Sequence, residues 1–108
     1  MEGPCLRAFP RTLFSCPVEV RSSGKTLRLA DARGNLSVNG LCLNAEGFAV
    51  NTRVRVKFDC ATPLQLEGVV RYCDGNGVGI EFQPLSRSKR EHLCRLIAEF
   101  MPREVLAA

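Results

Sequence analysis

The spacing of apolar residues changes period at Pro84, and this change constrains the fold more than any other feature of the chain. Upstream of it, Arg53-Val54-Arg55-Val56-Lys57-Phe58 sets Val54, Val56 and Phe58 on one side and three cations on the other, the two-residue repeat of a strand with one face in a core and one in water. Short apolar runs of this kind, broken by turn residues, recur from residue 15 to 82. They predict strands over 15–20, 25–30, 41–43, 53–58, 64–72 and 78–82. Pro17 suggests an edge or strand-start position for the first, because proline cannot donate to a ladder. In the second, Leu27 and Leu29 alternate with polar partners after a turn at Ser22-Ser23-Gly24. The last two are joined by Asp74-Gly75-Asn76-Gly77, whose Gly and Asn tolerate the positive φ of a tight hairpin. Six strands suffice to curl into a small antiparallel β-barrel.

Downstream of Pro84 the repeat is helical. Leu93, Leu96, Ile97, Phe100 and Met101 fall at i, i+3, i+4, i+7 and i+8, which is one face of an amphipathic helix over about residues 87–101. Ser88 and Glu91 stand at capping-box spacing, and Pro102 stops the run. The apolar stripe must dock, and it is expected to plug the open end of the barrel, a free helix that recruits a partner being the rival reading. The 108 residues thus read as a single domain: an N-terminal arm over 1–14, a barrel over 15–82 and a helix over 87–101.

Bulk properties narrow the function classes. No apolar run of about 18 residues exists and the N-terminus lacks the order of a signal peptide, so a cytoplasmic protein is expected. Fifteen Lys and Arg against eleven Asp and Glu permit an anionic partner without demanding extended nucleic acid. Cys5, Cys16, Cys42, Cys60, Cys73 and Cys94 contain no CxxC, and His92 is the only histidine, so no metal site or redox pair is written in. The cysteines read as small buried hydrophobes, a disulfide framework being the rival reading. No nucleophile stands at useful spacing from His92, which reads as solvent-facing. Glu19, Glu67 and Glu81 are not marked as an acid and base pair, so the chain reads as a non-enzyme without cofactor.

Two segments carry recognition chemistry. In Arg7-Ala8-Phe9-Pro10-Arg11 the proline disfavours a helix, so an extended, mobile arm carries two guanidiniums. Each is a rigid fork of donors that can grip phosphate oxygens or the O6/N7 edge of guanine, or stack on a base. Two solvated surface arginines are the plain alternative. In Asn35-Leu36-Ser37-Val38-Asn39-Gly40, an amide and a hydroxyl two residues apart on a β segment point to one side, where they can read a base edge. Gly40 would supply positive φ or room for a ligand, and the plain alternative is a polar turn. Asn35-Leu36-Ser37 also fits the N-glycosylation sequon, which matters only in a secreted protein.

Together these segments form an RxxxR and [D/N]xSxxG pair that resembles the signature of the PilZ domain. Val78-Gly79-Ile80-Glu81-Phe82, followed by Leu85-Ser86 and by Arg90, Leu93 and Ile97, also looks like the closing strand and helix of that family. The resemblance implies an all-β, PilZ-like split barrel of six antiparallel strands with a C-terminal α-helix. It further implies binding of cyclic di-GMP, relayed by a conformational change to a downstream protein partner in motility or exopolysaccharide regulation. Arg7 and Arg11 would bind phosphate and guanine, Asn35 and Ser37 would contact guanine, and Gly40 would permit the approach. The residue before the first arginine, thought to influence whether one ligand or a stacked pair binds, is Leu6, and an apolar residue leans towards one. The family often has Asp where Asn35 stands and a second glycine where Asn39 stands. Two other readings remain: a small nucleic-acid-binding barrel, for which the absence of Trp and the single Tyr72 leave few stacking platforms, and a PilZ-like adaptor with weak or no nucleotide binding.

Overall fold

The computed structural model describes residues 12–101. Six strands, β1 (Thr12–Ser22), β2 (Lys25–Leu36), β3 (Gly40–Leu43), β4 (Arg53–Phe58), β5 (Leu64–Asp74) and β6 (Gly77–Phe82), precede one helix, α1 (Arg87–Phe100). They close into a barrel in the order β1-β2-β3-β6-β5-β4, and every neighbouring pair is antiparallel. Inward side chains fill the interior: Val20, Leu36, Leu41, Val56, Phe58, Leu66, Val70, Val78 and Ile80 are fully buried. Each such side chain contributes about 1.5–3 kcal/mol of burial, which is what holds the ring shut.

Every strand but β4 departs from its expected limits, and a β-bulge explains the largest difference, at the end of β2. Cys16 stands opposite Ala32 but Val18 opposite Leu29, so Ala30 and Asp31 of β2 share the space facing Pro17. The extra residue reverses the phase of β2. Leu27 and Leu29 turn partly inward before it, Ala32 and Leu36 after it, and a strand expected to stop at residue 30 continues to Leu36. β1 starts at Thr12 and so takes in three residues assigned to the arm, among them the buried Phe14. Pro17 lies within β1 rather than at its start. It is tolerated there because its neighbour across the seam, Asp59, needs only the Pro17 carbonyl, to which the Asp59 N–H donates at 2.9 Å. The second bulge, on β5, puts Val70 opposite Ile80 and Tyr72 opposite Gly79, leaving Arg71 without a ladder partner on β6.

Helix α1 buries Leu93, Leu96 and Ile97. It packs on β1 and β5, strands that β4 separates in the ring, so it lies across a barrel end as its apolar stripe required. Phe100 meets Phe14 edge-on at 5.9 Å between ring centroids, and Phe14 meets Phe58 at 6.0 Å, which joins helix to core. The N-cap is Ser86, not Ser88: its hydroxyl accepts the Lys89 N–H at 3.2 Å. His92, expected to face solvent, is half-buried with Nε2 3.3 Å from the Thr62 carbonyl. Of the described cysteines only Cys16 is fully buried; Cys42, Cys60 and Cys73 are half-buried and Cys94 is exposed, and none of them is in a disulfide. Among the described residues no helix is long and apolar enough to cross a membrane.

Candidate functional site

Leu6, Arg7 and Arg11 lie outside the described residues, but the strand they lead into fixes where that segment joins the barrel. Thr12 pairs with Leu36 and Leu13 with Asn35. The first residue after Arg11 therefore stands beside the end of β2, at the Asn35 turn and not on the far side of the barrel.

From Leu13 a row of outward positions crosses four further strands in register. Leu13 faces Asn35, Asn35 faces Cys42, Cys42 faces Gly79, and Gly79 faces Tyr72. Leu13 is 75% exposed, one of two large hydrophobics so placed among the described residues. Asn35 is half-buried, and its side-chain amide has no hydrogen-bond partner among the described residues, so its donor and acceptor are both on offer. At the far end the Tyr72 ring lies against the strand at Gly79, where any Cβ would overlap the ring. Its hydroxyl donates to Cys42 Sγ at 2.9 Å. The glycine and the thiol together hold the ring flat along the outer sheet.

Tyr72 faces outward because of the bulge at Arg71. Without the extra residue, the spacing Leu66, Gly68, Val70 would carry Tyr72 into the core with them; with it, Cys73 takes the inward phase opposite Val78. Arg71 itself reaches out to Glu81 at 2.6 Å. Sequence reasoning did not place Tyr72 in this row, since alternation alone gives no sign of the bulge. The only available signal was that it is the single tyrosine in a chain without tryptophan.

Ser37 and Gly40 do a different job from the one expected. β2 ends at Leu36, and Ser37 is 1% exposed, so no amide and hydroxyl ledge forms. Instead the Ser37 hydroxyl accepts the Asn39 N–H at 3.1 Å and lies 3.5 Å from the Gly40 carbonyl, while the Ser37 N–H donates to that carbonyl at 2.9 Å. The serine stitches the turn closed. Gly40 has no positive φ; its requirement is space, since a Cβ there would run into the Ile80 carbonyl of β6. The Asn39 carbonyl also accepts the Phe82 N–H at 2.9 Å, which ties this turn to the end of β6. Both residues therefore fix the platform on which Asn35 is carried.

Charges on the surrounding strands are mostly spoken for. Arg33 pairs with Asp31 at 2.9 Å, and Glu19 receives both Arg28 (2.9 Å) and Arg21 (3.1 Å). The Arg28 hydrogen bond, opposed by slight desolvation and aided by Arg21, Arg28 and Lys57, holds the Glu19 carboxyl below the usual range.

The PilZ domain family model matches residues 6–99 of the chain. Among solved structures, the chain is similar to the PilZ domain of CeSA from a cellulose-synthesising bacterium, with a TM-score of 0.70 at 14% identity over 83% of this chain and 96% of that one. It is also similar to the Bacillus subtilis inhibitor of motility MotI/DgrA, with a TM-score of 0.64 at 16% identity over 86% of this chain; it spans half the length of that protein. At these identities the likeness shows the shared barrel. No curated protein matches the chain by sequence.

Proposed function

The chain belongs to the PilZ domain family, and on that footing we propose that it is a receptor for cyclic di-GMP that relays binding to a protein partner. PilZ domains are regulatory binding modules rather than enzymes. The ligand, a ring with two phosphates and two guanines, asks for cationic forks beside a flat hydrogen-bonding surface. Arg7 and Arg11 supply the forks, gripping phosphate oxygens and a guanine edge in paired bonds. The Asn35 amide meets the edge of a guanine, and Leu13, Cys42 and Tyr72 form the floor beneath it. Ser37 and Gly40 act one step back, by holding the turn and the close approach of β3 to β6. With Leu6 ahead of Arg7, a single ligand molecule is the expected stoichiometry.

The observation that carries this reading is the register of β1 on β2. Consecutive Cα atoms are about 3.8 Å apart, so Arg11 is tethered within that distance of Thr12, which pairs beside Asn35. Arg7, five residues ahead of Thr12, is within about 18 Å even when fully extended. Both guanidiniums can then close over one ligand lying on the row from Leu13 to Tyr72. Closure is a change of state in which contacts made only with ligand set how far the population shifts. The surface it alters is the one offered to a partner in the cytoplasm, with motility or exopolysaccharide output as the class of response. Calorimetric titration with cyclic di-GMP, with GTP and cyclic AMP as controls, tests the proposal: saturable binding of cyclic di-GMP alone is expected, and equal or absent binding of all three refutes it.

A further inference from the structure

A second grouping of reactive side chains lies at the seam that closes the barrel. β1 and β4 meet there through only four register pairs, from Val18 opposite Phe58 to Arg21 opposite Arg55. The ladder runs on past Val18. Asp59 N–H donates to the Pro17 carbonyl at 2.9 Å, which makes Pro17 and Asp59 the next, hydrogen-bonded rung, lacking one of its two bonds because proline has no N–H. One step further, the same count sets Cys16 opposite Cys60 at a non-hydrogen-bonded rung. Opposed Cα atoms at such rungs are about 4.5 Å apart, within the span a disulfide bridges. Neither thiol is in a disulfide: Cys16 is buried on the inward face of β1, and Cys60 is half-buried against the core at the start of the β4–β5 connection.

We propose that Cys16 and Cys60 are an oxidisable thiol pair that locks the β1–β4 seam by forming a disulfide when the protein meets hydrogen peroxide. The asymmetry of the pair sets the order of events. Burial, then the hydrogen bond and charge of Cys60, then the carboxylates of Asp59 and Glu99, push the Cys16 thiol up to about 12, so it stays protonated. Cys60 is the accessible partner and reacts first: its thiolate sulfur attacks one peroxide oxygen, the O–O bond breaks, and the departing hydroxide takes up a proton as water. Cys60 is then a sulfenic acid. The Cys16 sulfur attacks the Cys60 sulfur, the S–O bond breaks, and the hydroxide leaves with the Cys16 proton as a second water. Each sulfur gives up one electron and the peroxide takes both.

A bond at this rung closes a loop of more than forty residues and pins β1 just downstream of the segment that carries Arg7 and Arg11. The covalent lock extends a seam otherwise held by four register pairs and the Asp59–Pro17 bond, at the point where Phe14, Phe58 and Phe100 join the helix to the barrel.

The full chain is treated with hydrogen peroxide, blocked with a thiol reagent and mapped by peptide mass spectrometry. The expected product has lost two hydrogen atoms, links the Cys16 peptide to the Cys60 peptide, unfolds at a temperature higher by at least about 5 °C, and reverts with dithiothreitol. In Cys60→Ser the peroxide-induced thermal shift disappears, and in Cys16→Ser peroxide adds oxygen to Cys60 instead of a bridge. A bridge between other cysteines, or Cys60 carried to sulfinic acid in the wild type with Cys16 still open to alkylation, overturns the proposal. Because wild-type mapping alone decides between these products, the test survives even if a serine variant fails to fold.

Discussion

Replacing Tyr72 by alanine removes the flat end of the proposed ligand floor, and the consequences separate cleanly into binding and stability. The ring is held by its hydroxyl on Cys42 Sγ and by the bare strand at Gly79, so it presents a face without needing to be ordered by the ligand. Stacking of a base on such a ring is worth about 1–3 kcal/mol by alanine substitution, which raises Kd about five- to 150-fold. Tyr72→Phe keeps the ring and loses only the bond to the thiol, so its Kd rises less than tenfold. Because Tyr72 is the only tyrosine and the chain has no tryptophan, its fluorescence reports this one position. Titration of the wild type with cyclic di-GMP is expected to quench that emission with the same Kd as calorimetry gives. Since the ring is half-buried on the outside of the barrel, Tyr72→Ala destabilises less than the 3–5 kcal/mol typical of a core aromatic. Tight binding by Tyr72→Ala with unchanged Kd, and no quenching in the wild type, would refute the role assigned to the ring.

Other substitutions test the supporting parts. Ser37→Ala leaves the Asn39 N–H without its acceptor in a part-buried turn and is expected to cost about 1–3 kcal/mol in denaturant unfolding, with weaker ligand binding following from the disturbed platform. Gly40→Ala drives a methyl group into the Ile80 carbonyl and is expected to lower stability by about 1–3 kcal/mol; an unchanged melting temperature would contradict the close-packing role. The Glu19 carboxyl titrates below its ordinary range in the folded protein, so its contribution is present above that range and is lost as pH falls through the lowered value. Glu19→Gln removes this acid-side dependence, which melting curves at descending pH will show as a smaller drop than in the wild type.

The barrel was legible where one residue type dominated one face. The alternation in β4 placed Val54, Val56 and Phe58 inward with their strand limits unchanged, and the stripe from Leu93 to Met101 located the helix to within a residue. Legibility failed where an inserted residue changed the phase. Ala30 and Asp31 end the alternation of Leu27 and Leu29, and only the pairing with β1 reveals that the strand resumes with Ala32 and Leu36 inward. The same blindness at Arg71 concealed Tyr72. At the turn, the pattern of Asn35, Ser37 and Gly40 marked the right place but not the division of labour. A hydroxyl near a strand end can serve a ligand or the backbone, and burial by the surrounding strands decided for the backbone. Likewise, Ser86 and Ser88 both suit a helix start, and the extended backbone at Ser86 with its hydroxyl on the Lys89 N–H makes Ser86 the cap.

In the proposed complex, arginines entering β1 and an amide at the end of β2 hold one nucleotide together, and calorimetry on Arg7→Ala, Arg11→Ala and the double variant tests this. Each single change is expected to cost about 1.5–3 kcal/mol of cyclic di-GMP binding, the range for charged hydrogen bonds, while the thermal transition stays nearly where it is in the wild type. Wild-type affinity in the double variant would mean that neither arginine holds the ligand.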